Sequence, residues 1–220
     1  MIKLSKRLET IASFIEWDDD VLDIGCDHAL LDIYLSKKYS KTYYASDLRE
    51  SALDMARSNI KKYNADKVIL KCGNGLDVLD DTTKVNTIVI SGMGYMSIIH
   101  ILKNIKKLEN IKKLVIQSNS NSEIVRKYLI KNGFYIDKEM VVLDKNIYYI
   151  VTSYKRGKRK YNVLDKEIGI MDNEHLKKYI DIELKKNNIL LSVIPKKHII
   201  RRLSIKRKIK HLNKKRILTK

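Results

Sequence analysis

The sequence predicts an α/β fold with a mainly parallel β-sheet and helices on both faces, followed by a smaller helical region that is strongly basic. Three observations support this prediction. Short apolar runs alternate with helical patterns over the first 150 residues, which is typical of βαβ units. Small and polar residues follow the apolar runs at the points where strands would end. The pattern and the charge of the chain then change after Lys155.

Five short apolar runs predict the parallel strands, and most of the segments between them have apolar residues at helical spacing. The predicted strands are residues 21–24, 42–45, 68–70, 87–90 and 114–116. The predicted helices are residues 30–39, 51–63, 96–108 and 123–131. Two β-rich runs, residues 135–143 and 146–154, predict a hairpin around Asp144 and Lys145 that adds an antiparallel edge.

The region after Lys155 predicts a linker and a helical pair. The charged stretch RGKRKYNVLD has no core pattern and is predicted to be the linker. One helical pattern follows with apolar residues from Leu164 to Leu184, and it breaks near Asn187. A second pattern begins near Pro195, a residue that suits the first turn of a helix. Two helices joined by a short break are expected to pack antiparallel.

The charge is concentrated in this helical region. The chain of 220 residues carries 45 Lys and Arg against 26 Asp and Glu, a net charge of +19. Residues 151–220 hold 22 of these cations and 6 of these acids, so +16 of the net charge lies there. A basic block of this density attracts polyanions, of which RNA, DNA and an anionic membrane surface are the candidates.

Several classes of protein are excluded by composition. Two cysteines, Cys26 and Cys72, cannot build a disulfide framework or a structural zinc site, so a reducing cytoplasm is expected. No apolar run approaches the roughly 20 residues that span a bilayer, and the amino terminus lacks the apolar region of a secretory signal. The five histidines are scattered without metal-ligand spacing. We therefore expect no membrane span and no metal.

Polar and small residues after the strands predict a nucleotide site, because ligands of open α/β sheets lie at the carboxyl ends of the strands. These residues are Gly25-Cys26-Asp27-His28, Asp47, Gly73-Asn74-Gly75, Ser91-Gly92-Met93-Gly94 and Gln117-Ser118-Asn119. Gly25 lets the backbone approach a ligand closely. Asp47 follows it at the spacing of an acid that binds ribose hydroxyls, and Asn74 offers an amide to an adenine edge. The pattern predicts an adenosine site.

The charge of the first turn favours S-adenosylmethionine over a dinucleotide. The turn lacks a complete G-x-G-x-x-G motif, because Asp27 and Leu30 stand at two of its positions. An aspartate would repel a pyrophosphate, but it is compatible with the zwitterionic, sulfonium-bearing tail of S-adenosylmethionine.

The motifs LSKRLETIA, VLDIGCDHALLDIYL, GNGL, ISGMG and IQSN, with a YYIV ending, occur in the order and spacing of one family. Over about residues 4–154 the chain resembles the bacterial TrmK family. The resemblance implies a class I, Rossmann-like methyltransferase fold with a C-terminal coiled-coil-like helical domain that binds tRNA. It also implies methylation of N1 of adenine-22 in tRNA by direct displacement on a flipped-out base. We expect a catalytic domain at residues 1–155, a tRNA-binding domain at residues 156–220, and a cytoplasmic monomer.

The same resemblance implies roles for individual residues. The expected cofactor-binding residues are Arg7, Gly25, Cys26, Asp27, His28, Asp47, Leu48, Gly73, Asn74 and Gly75. The residues expected beside the transferred methyl are Ser91, Gly92, Met93, Gly94 and Tyr95, with backbone carbonyls holding the exocyclic amine and Tyr95 stacking on the ring. Arg7 is expected to reach either the cofactor carboxylate or tRNA.

The charge of the tail predicts its phosphate contacts. The expected RNA-binding residues are Lys196, Lys197, Arg201, Arg202, Lys206, Arg207 and Lys208. Contacts of this kind position RNA without specifying a base.

The sequence departs from the family pattern at Asn74, Asp47, Tyr95 and Ser118, where Asp, Glu, Gly and Pro are usual. Asn74 carries no charge to strengthen a bond to the adenine amino group. Two alternatives stay open at this point. One is a methyltransferase that acts on another RNA or on adenine N6, although N6 chemistry typically uses an N/D-P-P-Y/F element where this chain has SGMG. The other is a non-catalytic RNA-binding protein on a methyltransferase scaffold.

Overall fold

The computed structural model describes residues 2–219 and confirms the predicted α/β fold. The strands are β1 Val21–Ile24, β2 Tyr43–Asp47, β3 Val68–Cys72, β4 Thr87–Met93, β5 Lys113–Ser118, β6 Phe134–Asp144 and β7 Ile147–Arg156. The α-helices are α1 Lys6–Ser13, α2 Leu30–Tyr39, α3 Glu50–Tyr63, α4 Tyr95–Leu102, α5 Ser122–Lys131, α6 Val163–Glu167, α7 Leu176–Val193 and α8 Ile199–Leu218. Short 3₁₀ helices span Gly75–Val78 and Ile105–Leu108.

All seven strands form one sheet in the order β3-β2-β1-β4-β5-β7-β6. The pairs among β1 to β5 are parallel, whereas β7 pairs antiparallel with both β5 and β6. The order of the strands reverses between β1 and β4. A ligand cleft is therefore expected outside the carboxyl ends of these two strands.

Both faces of the central strands are buried, which explains their continuous apolar runs. Ile88 and Ile90 of β4 lie in the cluster that packs against α4 and α5. Val89, between them, lies in the cluster that packs against α1 and α2. This alternation follows from the two-residue period of a strand. The helices on both faces are thereby packed on one sheet, and the carboxyl ends of its parallel strands form the site.

The helical pair α7–α8 packs on the sheet through one apolar cluster. Val141 and Ile150, on the β6–β7 hairpin, contact Ile180 and Leu184 of α7 and Leu212 of α8. The predicted break near Asn187 is wrong. The Asn187 side chain donates to the Glu183 carbonyl at 2.7 Å inside the helix. Helix α7 ends at Val193, because the residue before a proline is disfavoured in the helical conformation.

The predicted linker connects β7 to α6 and has no helix or strand over residues 157–162, but it packs against the core through Tyr161. Strand β7 continues to Arg156, and the Tyr161 hydroxyl accepts a hydrogen bond from the Ile136 N–H at 2.7 Å. Asn162 then begins α6 with a reciprocal capping box. The segment combines charged side chains with specific aromatic and capping contacts, which apolar periodicity does not reveal.

Two predicted helices are shorter than expected. Residues 96–108 form α4, which ends at Leu102, and a separate 3₁₀ turn. The pattern from Leu164 to Leu184 is divided between α6 and α7. Gly169 lies between these helices at φ +112°, a conformation that an L side chain rarely adopts.

A buried ion pair joins the sheet to the segment that leads into the tail. The Arg126 Nη2 donates to the Glu139 Oε1 at 2.6 Å, and both side chains are fully buried. The second carboxylate oxygen of Glu139 accepts from the Ile170 N–H at 2.7 Å. A Cβ at Gly169 would collide with this carboxylate. Glu139 therefore links α5, β6 and the α6–α7 connection.

Among residues 2–219, none of the helices combines the length and the apolar character that a membrane crossing requires.

Candidate cofactor and substrate site

Two adjoining clefts lie at the carboxyl ends of the parallel strands, and each has a volume of about 700 Å³. The inner cleft is bordered by Asp47, Leu48, Gly73, Asn74, Gly75 and the start of α4. The outer cleft is bordered by Arg7, Cys26, Asp27, His28, Ser91, Gly92, Asn119 and Lys145, among others. Gly25, Asp47, Arg49 and Met93 border both clefts. All ten residues predicted to bind the cofactor border at least one of them.

Gly25 forms the floor where the two clefts meet. Its φ of +79° lies in the left-handed region, and its N–H donates to the Ser46 carbonyl at 2.7 Å. A Cβ at this position would collide with the terminal methyl of Met93. The turn continues through Asp27 at φ +50°, which is uncommon for a residue other than glycine. Because glycine has no Cβ, a bulky ligand can lie directly against the backbone at this position.

Asp47 ends β2 as a buried carboxylate. Its Oδ1 accepts from the Arg49 N–H at 3.0 Å, while its carbonyl accepts from the Gly73 N–H at 3.0 Å. These bonds hold the carboxylate between the ends of β1 and β3 and leave Oδ2 available to the clefts. The arrangement fits a pair of ribose hydroxyls, which are donors that match a carboxylate acceptor.

The structure also places a pair of buried acids here, which our prediction missed. Asp23, on β1, borders the outer cleft, and Asp32 is buried behind it on α2. One oxygen of Asp23 and both oxygens of Asp32 have no hydrogen-bond partner among the described residues. Burial raises the pKa of both carboxyl groups, and the charge of Asp23 raises the pKa of Asp32 further. Asp32 within an apolar helix pattern is the signal that could have indicated them.

The sequence placed Gln117 among the polar residues that follow the strands, but it gave this side chain no role. It is fully buried at the end of β5, and its Oε1 accepts from the Arg7 Nη1 at 2.7 Å and from the Gly92 N–H at 3.0 Å. Its Nε2 donates to the Asn119 Oδ1 at 3.0 Å. The Arg7 guanidinium also lies 5.3 Å from the centre of the Tyr149 ring. Gln117 thus fixes three groups on the rim.

Asn119 holds the end of β4, where the carbonyls expected to contact the substrate lie. The Gly92 carbonyl accepts from the Asn119 Nδ2 at 2.7 Å, and the Met93 carbonyl accepts from the Asn119 N–H at 2.8 Å. These carbonyls already have a donor each. Tyr95 packs against the apolar cluster beneath α4, whereas Met96, Ser97 and His100 border the inner cleft. Gly94 is the N-cap residue of α4. Its expected role beside the transferred methyl and the stacking role of Tyr95 stay predictions.

Cys72, His28 and Asp27 are further titratable groups at or near the clefts. The Cys72 Sγ lies 3.8 Å from the Leu48 carbonyl, and a hydrogen bond with Glu50 raises the pKa of the thiol, which lowers its nucleophilicity. The His28 Nε2 lies 3.3 Å from Asp27. Within residues 2–219, His, Cys, Asp and Glu form no group of three or more that is suited to a metal ion.

The predicted RNA-binding cations of the tail divide into two groups. Lys196, Lys197, Arg201 and Lys206 are exposed, and no described acid pairs with them. The other three are engaged within the protein. The Arg202 Nη1 donates to the Leu191 carbonyl at 2.8 Å and so closes the end of α7. Arg207 lies 3.5 Å from Glu167, and Lys208 lies 3.5 Å from Glu183.

Comparison with known proteins agrees with this geometry. Residues 4–152 match the family model described as "Methyltransferase domain". The tRNA (adenine(22)-N(1))-methyltransferase of Bacillus subtilis (strain 168) is 32% identical over 162 residues, which cover 72% of this chain and 67% of that protein.

Two solved structures are similar over nearly the whole chain. M. capricolum TrmK in complex with S-adenosyl-homocysteine has a TM-score of 0.87 and 26% identity, and the alignment covers 99% of both chains. A Streptococcus pneumoniae protein described as a putative tRNA (m1A22) methyltransferase, in complex with S-adenosyl-L-methionine, has a TM-score of 0.83 and 27% identity over 96% of this chain and 99% of that chain. The match therefore includes the α7–α8 pair as well as the sheet. The chain belongs to the TrmK family of methyltransferases.

Proposed function

We propose that this protein methylates N1 of adenine-22 in tRNA and uses S-adenosyl-L-methionine as the methyl donor. The observation that carries the proposal is the divided cleft at the reversal of strand order, where the Gly25 floor lies beside the buried Asp47 carboxylate. The B. subtilis relative supports the nucleotide and the atom. The two structures bound to S-adenosyl-homocysteine and S-adenosyl-L-methionine support the cofactor.

The residues of the two clefts match the parts of this cofactor. Asp47 would bind the ribose, and Asn74 would face the adenine edge in the inner cleft. Asp27 and the buried Asp23 border the outer cleft, where carboxylates would attract the ammonium group of the methionine tail. When bound, S-adenosylmethionine supplies a methyl group on a positively charged sulfur. The backbone of Ser91–Gly94 and the side chain of Met93 would lie beside that group.

The protein need not supply a strong base for this chemistry. The N1 atom of adenine is neutral and already carries a free lone pair, so position is the main requirement. In a paired base, N1 is hidden at the Watson–Crick edge, so the base must leave the stack at a cost of about a few kcal/mol. The ring becomes cationic on methylation, and the carboxylates of the outer cleft favour that charge.

The remaining expectations complete the proposal. Residues 1–155 would form the catalytic domain, and residues 156–220 would hold tRNA through exposed cations. Lys196, Lys197, Arg201 and Lys206 would contact phosphates, with smaller contributions from Arg202, Arg207 and Lys208. The protein would act as a monomer in the cytoplasm.

The test is methylation of an unmodified tRNA transcript with labelled S-adenosylmethionine, followed by nucleoside analysis with mass spectrometry. We expect 1-methyladenosine, and we expect none when adenine-22 is replaced by guanine. Asp47→Ala should abolish cofactor binding, whereas Asp66→Ala, at an exposed aspartate before β3, should preserve it. Formation of N6-methyladenosine, or the absence of any methylated nucleoside, would refute the proposal.

A further inference from the structure

The outer end of the α7–α8 pair combines exposed apolar side chains with cations. We define the tip surface as residues 193–204. Val193, Ile199, Ile200 and Leu203 are 68%, 64%, 86% and 59% exposed. Lys197 and Arg201 border the same shallow cleft as Ile199 and Ile200. The apolar cluster that holds the helical pair on the sheet uses other residues, so these side chains are not needed for that packing.

The strong positive charge of this region indicates a polyanionic partner. Residues 184–220 contain 14 Lys and Arg and no Asp or Glu. A second copy of the tip surface would bring two cationic surfaces together, which disfavours self-association. A polyanion complements the charge, and its apolar portion must match the exposed isoleucines. The faces of unpaired nucleobases provide such apolar area beside phosphates, whereas the bases of a continuous duplex are stacked on each other.

We propose that the tip surface binds unpaired nucleobases of the substrate RNA through Ile199, Ile200 and Leu203, while Lys197 and Arg201 contact the flanking phosphates. The inference rests on the proposed function for the identity of the RNA. It adds a contact that depends on exposed base faces and not on charge alone. The tip surface therefore distinguishes a folded RNA with loops from a duplex of equal charge.

The experiment measures the affinity of the full-length protein for a tRNA transcript and for a blunt RNA duplex with the same number of phosphates, over a range of salt. The double variant I200Q/L203Q should weaken tRNA binding about tenfold without changing the slope of log K against log salt. It should leave duplex binding unchanged. K197Q/R201Q should weaken binding to both RNAs and lower the slope by about 1.5, because each phosphate contact contributes about 0.7–0.9.

Ile217→Gln is the matched control, because Ile217 is 84% exposed on the same helix and lies about 26 Å from Ile200 along its axis. The control should bind tRNA like the wild type, and circular dichroism should show equal helix content in all variants. An I200Q/L203Q protein with unchanged tRNA affinity, or an I217Q protein that is weakened equally, would overturn the inference.

Two further measurements address other partners. Co-sedimentation with phosphatidylserine vesicles that is abolished by I200Q/L203Q, with tRNA affinity intact, would assign the surface to a membrane. Sedimentation equilibrium that shows a dimer dependent on Ile200 would assign it to a second copy. Either result contradicts the proposal. Nucleoside analysis of the methylated tRNA tests the proposed function separately, so the failure of one is distinguishable from the failure of the other.

Discussion

Asp23 illustrates how a single buried carboxyl group couples the cofactor site to stability. Burial raises its pKa to about 7, the neighbouring Asp32 carboxyl group partly opposes this increase, and the charge of Asp47 adds to it. The unfolded chain releases this proton near the ordinary pKa of an aspartate, whereas the folded chain retains it up to about pH 7. The folded state therefore binds more protons between these values, and the free energy of unfolding falls as the pH rises.

Replacing Asp23 by Asn should reduce this pH dependence. Because one titrating group accounts for at most about 1.4 kcal/mol per pH unit, the wild-type slope between pH 5 and 7 should exceed that of Asp23→Asn by up to this amount. Urea unfolding of the cofactor-free proteins at several pH values provides the measurement. Asp66→Asn serves as the control at an exposed carboxylate. Parallel curves for wild type and Asp23→Asn would contradict the assignment.

Gln117 is the residue through which the rim of the outer cleft is organised. Its Oε1 accepts from both Arg7 and Gly92, so Gln117→Leu removes the shared acceptor while the side-chain volume stays similar. We expect kcat for tRNA methylation to fall at least about tenfold, because each lost hydrogen bond costs about 1–3 kcal/mol in a buried site. Calorimetry should show a smaller loss of S-adenosylmethionine affinity than of kcat, because Arg7 is only one of the residues expected to bind the cofactor. Equal kcat values would show that Gln117 only fills space.

These residues show what the sequence could and could not predict about the site. Gly25, Asp47 and Asn74 were predictable because each follows a strand that had a clear apolar pattern. Asp32 was not, because it lies within an apolar run. Gln117 was placed at the end of a strand, but its partners depend on how distant elements pack. The guanidinium of Arg7 reaches Gln117 across 110 positions of sequence, and no local pattern contains that information.

At the level of elements, the strands were predicted well and the helical tail less well. Each strand carries its own two-residue period and buried core positions. The boundaries of α6 and α7 instead depend on Gly169 and on the hydrogen bond from Ile170 to Glu139, which is a tertiary contact. The break expected near Asn187 failed because this side chain bonds within the helix, where its usual preference for turns is overridden.

The Arg126–Glu139 pair provides a prediction at this scale. Removing the carboxylate leaves a fully buried guanidinium without its partner and also removes the acceptor for the Ile170 N–H. We expect Glu139→Ala to reduce the free energy of unfolding by about 3–5 kcal/mol. Denaturant unfolding followed by circular dichroism checks this value. Glu174→Ala, at an exposed acid near the start of α7, should change stability by less than about 0.5 kcal/mol, and a similar small effect for Glu139→Ala would contradict the role assigned to the pair.

At the level of the whole molecule, the tail is a basic extension that is attached to the catalytic sheet through a shared core. Leu176, Ile180 and Leu212 pack on the β6–β7 hairpin, and the α6–α7 connection covers the Arg126–Glu139 pair. Deleting residues 156–220 would therefore expose an apolar cluster and a buried ion pair. Any loss of activity would mix unfolding with loss of RNA contacts, so substitutions on the intact chain are the more informative test.

The two groups of tail cations give such a test. Replacing Lys196, Lys197, Arg201 and Lys206 together by Gln removes exposed charges that have no described acid beside them. The substitutions should therefore lower the affinity for RNA and leave the fold intact. Because each phosphate contact contributes about 0.7–0.9 to the slope of log K against log salt, we expect the slope to fall by about 3 and KM for tRNA to rise at least about tenfold. The affinity for S-adenosylmethionine and the melting temperature should stay unchanged.

For Arg202→Gln we expect the opposite result, a loss of stability with little effect on RNA binding. The Arg202 guanidinium donates to the Leu191 and Ile194 carbonyls at the end of α7. The substitution should lower the melting temperature by several degrees, since loss of these bonds leaves carbonyls at a helix end unsatisfied, and it should change the salt slope by less than about 1. Thermal unfolding and filter binding on the same two variants provide both readouts. A fourfold variant with an unchanged slope, or an Arg202→Gln variant with a reduced slope and an unchanged melting temperature, would show that the two groups had been assigned the wrong way round.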